Sequence, residues 1–469
     1  MAVRAMETLV GGEWIGADGG VDVYDPADVR EPFARVPALT AKQVTEVYRA
    51  AAEGYATWRA TSPIERCRVL ARAAVLLRER ADEIAGAIHA ENGKTPAEAR
   101  GEAEKTADFF EYYAAVGRQE YGSLIADARP DTRAGFQREP LGVVLAITPW
   151  NDPLITPARK LAPALAAGNA VVLKPATETP VSGLLLARAL HDAGLPAGVI
   201  NVVTGRTAEI SDALLDDPRI AAATFTGGNA VGEALRVRFA ERGVRFQAEL
   251  GGKNASVVLA GADLPRAAAA IAAAAFGQAG QRCTATSRAL VDRTVHDDFL
   301  ALLRAEVAGS RPGPLVSPAH RDGVLRHIAV AVEQGARAER TDLETPPYGC
   351  HVAPTILTGV TPEMDVWREE VFGPVLVVRP VDGLDEAIAA VNDTRYGLAA
   401  AIFTDSLSAA HRFVDAADCG QIAVNTTTSG WDVHQPFGGF RDSGSAFKEQ
   451  GAEALRFYTK VKTFAIHFG

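Results

Sequence analysis

The stretch Phe276-Gly-Gln-Ala-Gly-Gln-Arg-Cys283-Thr-Ala sets a cysteine just after a Gly- and Gln-rich turn, where an alanine-rich run ends. A sulfur held exposed in such a turn can serve, as the thiolate, as a nucleophile toward a carbonyl carbon. A lone cysteine is more often a small buried hydrophobe, and Cys67, Cys350 and Cys419 keep that reading because none has a comparable setting. A second stretch, Gln247-Ala-Glu249-Leu-Gly-Gly-Lys-Asn254, ends an expected strand on a carboxylate. The two glycines behind it allow a tight backbone turn, so Glu249 can face a cleft and act as a general base. Alone, such a residue is more often a surface carboxylate or an ion-pair partner. The third stretch, Thr148-Pro149-Trp150-Asn151-Asp-Pro, follows directly on an apolar run. There Asn151 can aim its amide N–H at a developing oxyanion, although asparagine before Asp-Pro is also ordinary turn material.

The standard dinucleotide fingerprint G-x-G-x-x-G is absent, since no two glycines stand two positions apart. Phe225-Thr-Gly227-Gly228-Asn-Ala-Val-Gly232 instead offers a turn into a helix N-terminus that could meet phosphates. Leu173-Lys174-Pro-Ala-Thr177-Glu178 offers an ammonium for a ribose hydroxyl or a phosphate. None of the 9 histidines lies in an HExxH pattern or a close Cys/His cluster, so no metal site is expected.

These residues need a scaffold, and the pattern supplies one. From Gly142 onward short apolar runs (Gly142–Thr148, Ala170–Leu173, Val199–Val203, Ala221–Thr226) alternate with helical stretches near Pro157–Ala167, Gly183–Ala193 and Ala208–Leu215. Near-continuous apolar strands separated by helices predict a parallel sheet covered on both faces. A second series runs through Ala255–Leu259, Val375–Val378, Ala399–Phe403 and Gln421–Val424, which predicts two α/β lobes. Upstream, Thr61–Arg80 reads as an amphipathic helix. Ser62 caps it, Pro63 suits its first turn and Glu65 completes a capping box. Leu70, Ala73 and Leu77 share one face, with Arg68, Arg72 and Arg78 away from it.

At 469 residues the chain is too long for one hydrophobic core and is expected to form two or three domains. A composition of 48% hydrophobic and 23% charged residues is globular, not disordered. The net charge of −10 argues against a nucleic-acid or anionic-membrane partner. The longest nearly pure apolar run, Ala267–Phe276, is far shorter than the roughly 20 residues of a membrane span. The opening MAVRAMETLV has no apolar core of a signal peptide, and 4 scattered cysteines make no disulfide framework, so a cytoplasmic protein is expected.

Taken in order, TPWN, ALAAGNAVVLKPA, FTGG, ELGGKN, FGQAGQRC, EEVFGPV, NDTRYGL and PFGG strongly resemble the aldehyde dehydrogenase superfamily along nearly the whole chain. The resemblance implies an α/β fold with a variant Rossmann cofactor domain (1–118 and 139–250) and a second α/β catalytic domain (251–437). It also implies a small β oligomerisation arm and C-terminal tail (119–138 and 438–469), giving a homodimer or homotetramer. Cys283 would attack the aldehyde carbon to give a thiohemiacetal. Asn151 and the Cys283 backbone N–H would hold the oxyanion. Hydride would pass to the nicotinamide, leaving a thioester. Glu249 would activate the hydrolytic water, which favours the free acid over transfer to coenzyme A. Thr148, Pro149 and Trp150 would line the cofactor cleft, Lys174 would bind a ribose, Gly227 and Gly228 would meet the pyrophosphate, and Glu370 and Phe372 would stand at the nicotinamide ribose.

Two departures from the family pattern stand out. Many NAD-preferring members have Glu three residues after the lysine; here Thr177 holds that position and Glu178 the next. A carboxylate there would repel a 2′-phosphate, whereas threonine can donate to it, so NADP is expected alongside NAD. Asp152 stands where many members carry an aromatic residue, and the sequence offers no account of it.

For the substrate, Arg159 matches a tunnel position that is often arginine in members acting on carboxylate-bearing semialdehydes. Arg282 and the C-terminal SGSAFKEQGAEALRFYTKVKT resemble members that oxidise 2,5-dioxopentanoate. Two guanidinium groups favour a small anion, although a surface helix position for Arg159 and a structural ion pair for Arg282 stand as alternatives. Thr284 and the loop Asn425–Trp431, ending in Trp431, would complete the wall. The expectation is an NAD(P)-dependent oxidation of a carboxylate semialdehyde such as 2,5-dioxopentanoate or succinic semialdehyde. A phosphonate- or sulfonate-bearing aldehyde, a broad aliphatic or aromatic range, and a non-catalytic nucleotide-binding relative are the alternatives.

Overall fold

The apolar runs that begin at Gly142 pair side by side into one parallel sheet. In space its order is Ile200–Val202, Ala170–Lys174, Val143–Ile147, Ile220–Thr226 and Arg245–Glu249. The computed structural model describes residues 3–16, 19–119, 121–344 and 346–469; residue 120, inside the expected arm, and residues 1 and 2 of the N-terminal decapeptide lie outside them. Alternate side chains of each strand enter opposite cores. Val144, Ala146, Val171 and Leu173 join one buried cluster, and Val143, Leu145 and Val172 join another. Both faces are covered by helices, which is why the central strands Val143–Ile147 and Ala170–Leu173 are apolar on both sides. The helices are Ile155–Ala167, Pro180–Asp192, Thr207–Leu215 and Asn229–Glu241. The first three match the expected helical stretches to within a few residues.

Successive strands step outward on one side of Val143–Ile147, and then the chain returns to its other side with Ile220–Thr226. Between these two strands the connections diverge in opposite directions. That divergence opens a crevice beyond their carboxyl ends, where ligands bind in open α/β sheets.

The second sheet has seven strands among the described residues, in the order Arg337–Arg340, Thr355–Thr358, Val375–Val381, Arg288–Asp292, Ala255–Val258, Ala399–Phe403 and Gln421–Val424. All are parallel except the edge strand Arg337–Arg340. Three of its strands were not anticipated. Arg288–Asp292 opens on an arginine, yet Arg288 is fully buried and its guanidinium donates to the carbonyls of Lys253, Ala390 and Val391. A charged residue satisfied by distant backbone breaks the apolar signature. A third, antiparallel sheet joins Gly122–Ile125 and Thr132–Pro140 to the chain's end, Thr459–His467. It leaves Leu124, Val461 and Ile466 exposed.

The expected amphipathic helix spans Pro63–Glu79, with Leu70, Ala73 and Leu77 buried. Ser62 Oγ accepts from Glu65 N at 3.2 Å, but the reciprocal half of the capping box is missing. The Glu65 carboxylate instead meets Arg68 at 3.0 Å, because an exposed guanidinium one turn on competes for it. Among the described residues no helix is long and apolar enough to cross a membrane.

Asn169 ties the first sheet together. Its buried Oδ1 accepts from the N–H groups of Leu141 (2.7 Å) and Gly142 (3.1 Å), and its Nδ2 donates to the carbonyls of Ala164 (3.1 Å) and Tyr458 (3.0 Å). Asn169→Ala leaves backbone groups on two segments, Leu141-Gly142 and Tyr458, without these partners. It is expected to destabilise the fold by about 2–4 kcal/mol, read as a lower urea midpoint. A midpoint within error of the parent would show that these bonds are replaceable.

Candidate active site

Three strands of the first sheet end at one place. Ile147 leads into Thr148–Asp152, Thr226 into Gly227-Gly228, and Glu249 into Leu250-Gly251-Gly252. The Gly227 N–H donates to the Glu249 carbonyl at 3.1 Å, which fastens two of these turns to each other. The structure gathers Pro149, Trp150, Asn151, Arg159, Gly227, Gly228, Glu249, Cys283, Glu370 and Phe372 around one cavity. It opens where the sheet's connections diverge. A second cavity shares Cys283, Asp152, Arg159 and Phe437 with the first and adds Arg282, Thr284 and Trp431. Cys283 therefore stands where the two meet.

The helix Leu264–Phe276 stops at Gly277, and the next three residues turn left-handed: Gln278 (φ 53°), Ala279 (φ 53°) and Gly280 (φ 70°). Two non-glycine residues in that region cost about 1–3 kcal/mol each, so the surroundings must hold them. Much of that hold comes from Gln278. Its N–H donates to Glu98 Oε1 at 2.6 Å, its side-chain amide donates to the Asn151 carbonyl, and its Oε1 accepts from Arg282 Nε at 2.8 Å. Gly280 is required because a Cβ there would lie 2.1 Å from the Gly373 carbonyl oxygen. On the far side of the turn, Asn254 Nδ2 donates to the carbonyls of Cys283 and Ala285, both at 2.8 Å.

Burial pushes the half-buried Cys283 thiol up to about 12; Arg159 opposes this, while Asp152, Glu249 and Glu370 reinforce it. Glu249 is buried, and neither carboxyl oxygen has a hydrogen-bond partner among the described residues. Burial raises its carboxyl well above the ordinary range and Glu449 adds to the effect, against Lys160, Lys448 and Arg159. Its space is kept by Gly438 (φ 142°), where a Cβ would lie 2.4 Å from Oε1. Nearby, Lys160 Nζ is paired with Glu449 and donates to Thr224 Oγ1 at 3.0 Å. Asn151 is buried and spends one amide hydrogen on the Gln281 carbonyl at 3.1 Å.

On the strand-end side, Glu370 Oε1 accepts from Gly252 N at 2.9 Å, and burial raises its carboxyl to about 7. A Cβ on Gly251 would lie 2.3 Å from Glu370 Oε2, so a glycine keeps this carboxylate's place. Trp150 packs on His320 (5.1 Å) and Phe372 (5.4 Å) to form an aromatic wall. Three expected cofactor residues, Lys174, Thr177 and Thr148, are not among those lining this cavity. Lys174 ends the next strand outward, where its buried Nζ donates to the Pro175 carbonyl at 2.8 Å and burial lowers it to about 8. Thr177 lines a separate cavity with Glu178 and Arg206. Thr148 is buried beside them, donating its N–H to the Lys174 carbonyl at 3.1 Å.

In the second cavity Arg159 lies over the Phe437 ring at 4.4 Å, and its Nε has no hydrogen-bond partner among the described residues. Asp152 now has an account. Its Oδ1 accepts from Lys94 Nζ at 2.8 Å, and Lys94 also pairs with Glu102. Glu102 Oε1 in turn accepts from the N–H groups of Leu154 (2.9 Å) and Ile155 (3.0 Å), fixing the start of the helix that carries Arg159 and Lys160. Burial acts against the Asp152 carboxylate, but Lys94, Arg282 and Arg159 together hold it below its ordinary range.

Sequence reasoning missed Phe437, His320, Lys160, Glu449, Lys94 and also Lys105, which lines the second cavity and donates from Nζ to the Trp431 carbonyl at 2.9 Å. The PFGG segment held the signal for Phe437. The Lys160–Glu449 pair spans 289 positions and left none.

The profile described as "Aldehyde dehydrogenase family" matches residues 14–464. An alpha-ketoglutarate semialdehyde dehydrogenase of Haloferax volcanii is 41% identical over 97% of this chain and 98% of its own length. The crystal structure of an NADP-dependent enzyme of E. coli superposes with a TM-score of 0.95 at 34% identity, covering 99% of this chain and 98% of its own. That of an NAD-dependent aldehyde dehydrogenase of Sinorhizobium meliloti gives 0.95 at 32% identity, covering 100% and 95%.

A thiol held protonated by burial reacts only through its small thiolate fraction. Alkylation of Cys283 by iodoacetamide in the cofactor-free protein is therefore expected to quicken about tenfold per pH unit from 7 to 9. A rate that levels off below pH 8 would show a thiol far more acidic than this burial allows.

Proposed function

The chain belongs to the aldehyde dehydrogenase family, and we propose that it oxidises a small anionic aldehyde, a carboxylate semialdehyde such as 2,5-dioxopentanoate or succinic semialdehyde, irreversibly to the acid. The observation that carries this reading is the position of Cys283 between two cavities. One lies at the sheet's crevice; the other is lined by two arginines, one of which, Arg159, has an unpartnered buried Nε.

A nicotinamide cofactor fits the first cavity. Gly251 leaves room for Glu370, which takes a ribose, and Gly227-Gly228 present a Cβ-free turn at a helix N-terminus for the pyrophosphate. Pro149, Trp150 and Phe372 wall the nicotinamide end. When bound, the nicotinamide accepts hydride. Both coenzymes are proposed to be used: Thr177 does not repel a 2′-phosphate, and Arg206 in the same cavity is a counter-charge for it. The similarity to both an NADP-dependent and an NAD-dependent structure supports that reading.

The side chains divide the chemistry. Cys283 gives its proton to solvent water, and the thiolate sulfur bonds to the aldehyde carbon, moving the carbonyl π electrons onto oxygen. Asn151 Nδ2 and the Cys283 N–H hold that oxyanion. Once hydride has left, the carbon–oxygen double bond reforms as a thioester. Glu249, ionised, takes a proton from water as the water adds to the thioester carbon. The carbon–sulfur bond then breaks, releasing the acid and the thiolate. Arg159 and Arg282 hold the substrate's anionic tail, and Thr284 and Trp431 close the wall. The same reading divides the chain into a cofactor domain (1–118 and 139–250), a catalytic domain (251–437) and an arm with tail (119–138 and 438–469). It assigns the small exposed sheet to self-association as a dimer or tetramer.

Formation of reduced cofactor with 2,5-dioxopentanoate, succinic semialdehyde, a phosphonate-bearing aldehyde, hexanal and benzaldehyde, each with NAD and NADP, tests this directly. An anionic substrate is expected to lead in kcat/KM. Arg159→Ala is expected to narrow its lead over hexanal about tenfold to hundredfold, the worth of one charge-assisted contact. Hexanal or benzaldehyde equalling the anions would sink the assignment.

Glu249→Gln should still release about one reduced cofactor per site in a burst. Its steady rate should then fall about a hundredfold or more, the scale of a lost general base. An unchanged steady rate would move the hydrolytic role elsewhere.

A further inference from the structure

Asp152 does more than its ion pair requires. Lys94 is already paired with Glu102, and those two side chains are 2% and 3% exposed, whereas Asp152 keeps 24% of its side chain open. Its Oδ1 takes both protein contacts, Lys94 Nζ at 2.8 Å and Gln278 Nε2 at 3.4 Å. Its Oδ2 accepts no hydrogen bond among the described residues. Asp152 lines both cavities that meet at Cys283, and it is close enough to the thiol to act on its charge. A carboxylate oxygen thus faces the space that the substrate must fill.

We propose that Asp152 is a specificity residue that accepts a hydrogen bond from a hydroxyl on the anionic aldehyde, so that the preferred substrate carries both a carboxylate and a hydroxyl. This rests on the reading that Arg159 and Arg282 hold the carboxylate. An unsubstituted chain in the cavity would strip water from an ionised oxygen and return nothing, a loss that falls on every substrate without a donor. A hydroxyl restores the bond and brings no charge. An ammonium would also donate, but Arg159 and Arg282 both act on the Asp152 carboxylate, and a cation arriving there would meet their repulsion. The hydrate of a 2-oxo group presents the same O–H donor, so a 2-oxo aldehyde acid satisfies Asp152 in that form.

The experiment compares four-carbon aldehydes of one length on the full chain with its nicotinamide cofactor: succinic semialdehyde, 2-hydroxy- and 3-hydroxy-4-oxobutanoate, and 2-amino-4-oxobutanoate, with hexanal as the uncharged control. One hydroxy isomer is expected to exceed succinic semialdehyde in kcat/KM about tenfold to hundredfold, and to exceed the amino compound. In Asp152→Leu that ratio is expected to collapse toward one. Calorimetric titration with malate and succinate, the latter lacking only the hydroxyl, reads the same preference as binding, and a thermal midpoint confirms that the variant is folded. A wild-type ratio at or below one, an amino compound that equals or beats the hydroxy compounds, or a ratio that survives Asp152→Leu overturns the proposal. If hexanal outruns every carboxylate, the underlying arginine reading falls with it. If the carboxylates lead without a hydroxyl preference, only the role of Asp152 is lost.

Discussion

Two ionisable groups that must change protonation are kept out of water here, and much of the site's construction answers that demand. Burial raises both the Cys283 thiol and the Glu249 carboxyl, and Glu249 adds to the rise at Cys283, because a negative charge on the carboxylate opposes a second one on the sulfur. In both groups burial favours the protonated form. The cations that favour either anion are Arg159, which acts on both, and Lys160 and Lys448, which act on Glu249. A pair raised together favours one negative charge at a time, which suits a nucleophile and a base that are needed in succession.

Holding these groups unpaired requires the backbone to be fixed by something else. Gly438 and Gly251 make room for Glu249 and Glu370 where any side chain would collide. The turn before Cys283 is strained at Gln278 and Ala279, and it is held from three directions: Glu98 on the N-terminal helices, Asn151 at the end of the first sheet, and Asn254 at the start of the second. The cysteine is therefore positioned by both sheets at once. A shift between them would pull its turn out of register with Asn151.

Much of this was legible in the sequence, for physical reasons. Strands buried on both faces announce themselves as apolar runs, and the residues just past their carboxyl ends, Thr148–Asn151, Gly227-Gly228 and Glu249, are local in sequence and so readable. What stayed hidden was long-range or disguised. Arg288 concealed a core strand because its charge is satisfied by backbone carbonyls 35 to 103 positions away. The missing half of the capping box at Ser62 shows a matched pattern losing to a nearer guanidinium. Lys174 and Thr177 lie one strand out from the crevice, a position fixed by strand order and not by spacing along the chain.

Asp152 shows why a departure from a family pattern is read best in three dimensions. In sequence it is an acid where an aromatic residue is common, next to an asparagine with work to do. In the folded chain it is one end of a buried chain of charges, Asp152–Lys94–Glu102, whose other end caps the helix bearing Arg159 and Lys160. Removing Lys94 from such a cluster would leave two carboxylates without their cation. Because Glu102 already balances Lys94, the second carboxylate is surplus to neutrality. That surplus charge sits at the open end of the cluster, between two arginines and the nucleophile. It makes the substrate cavity dipolar instead of simply cationic, and a dipolar cavity selects for where a ligand carries its donors as well as for its charge.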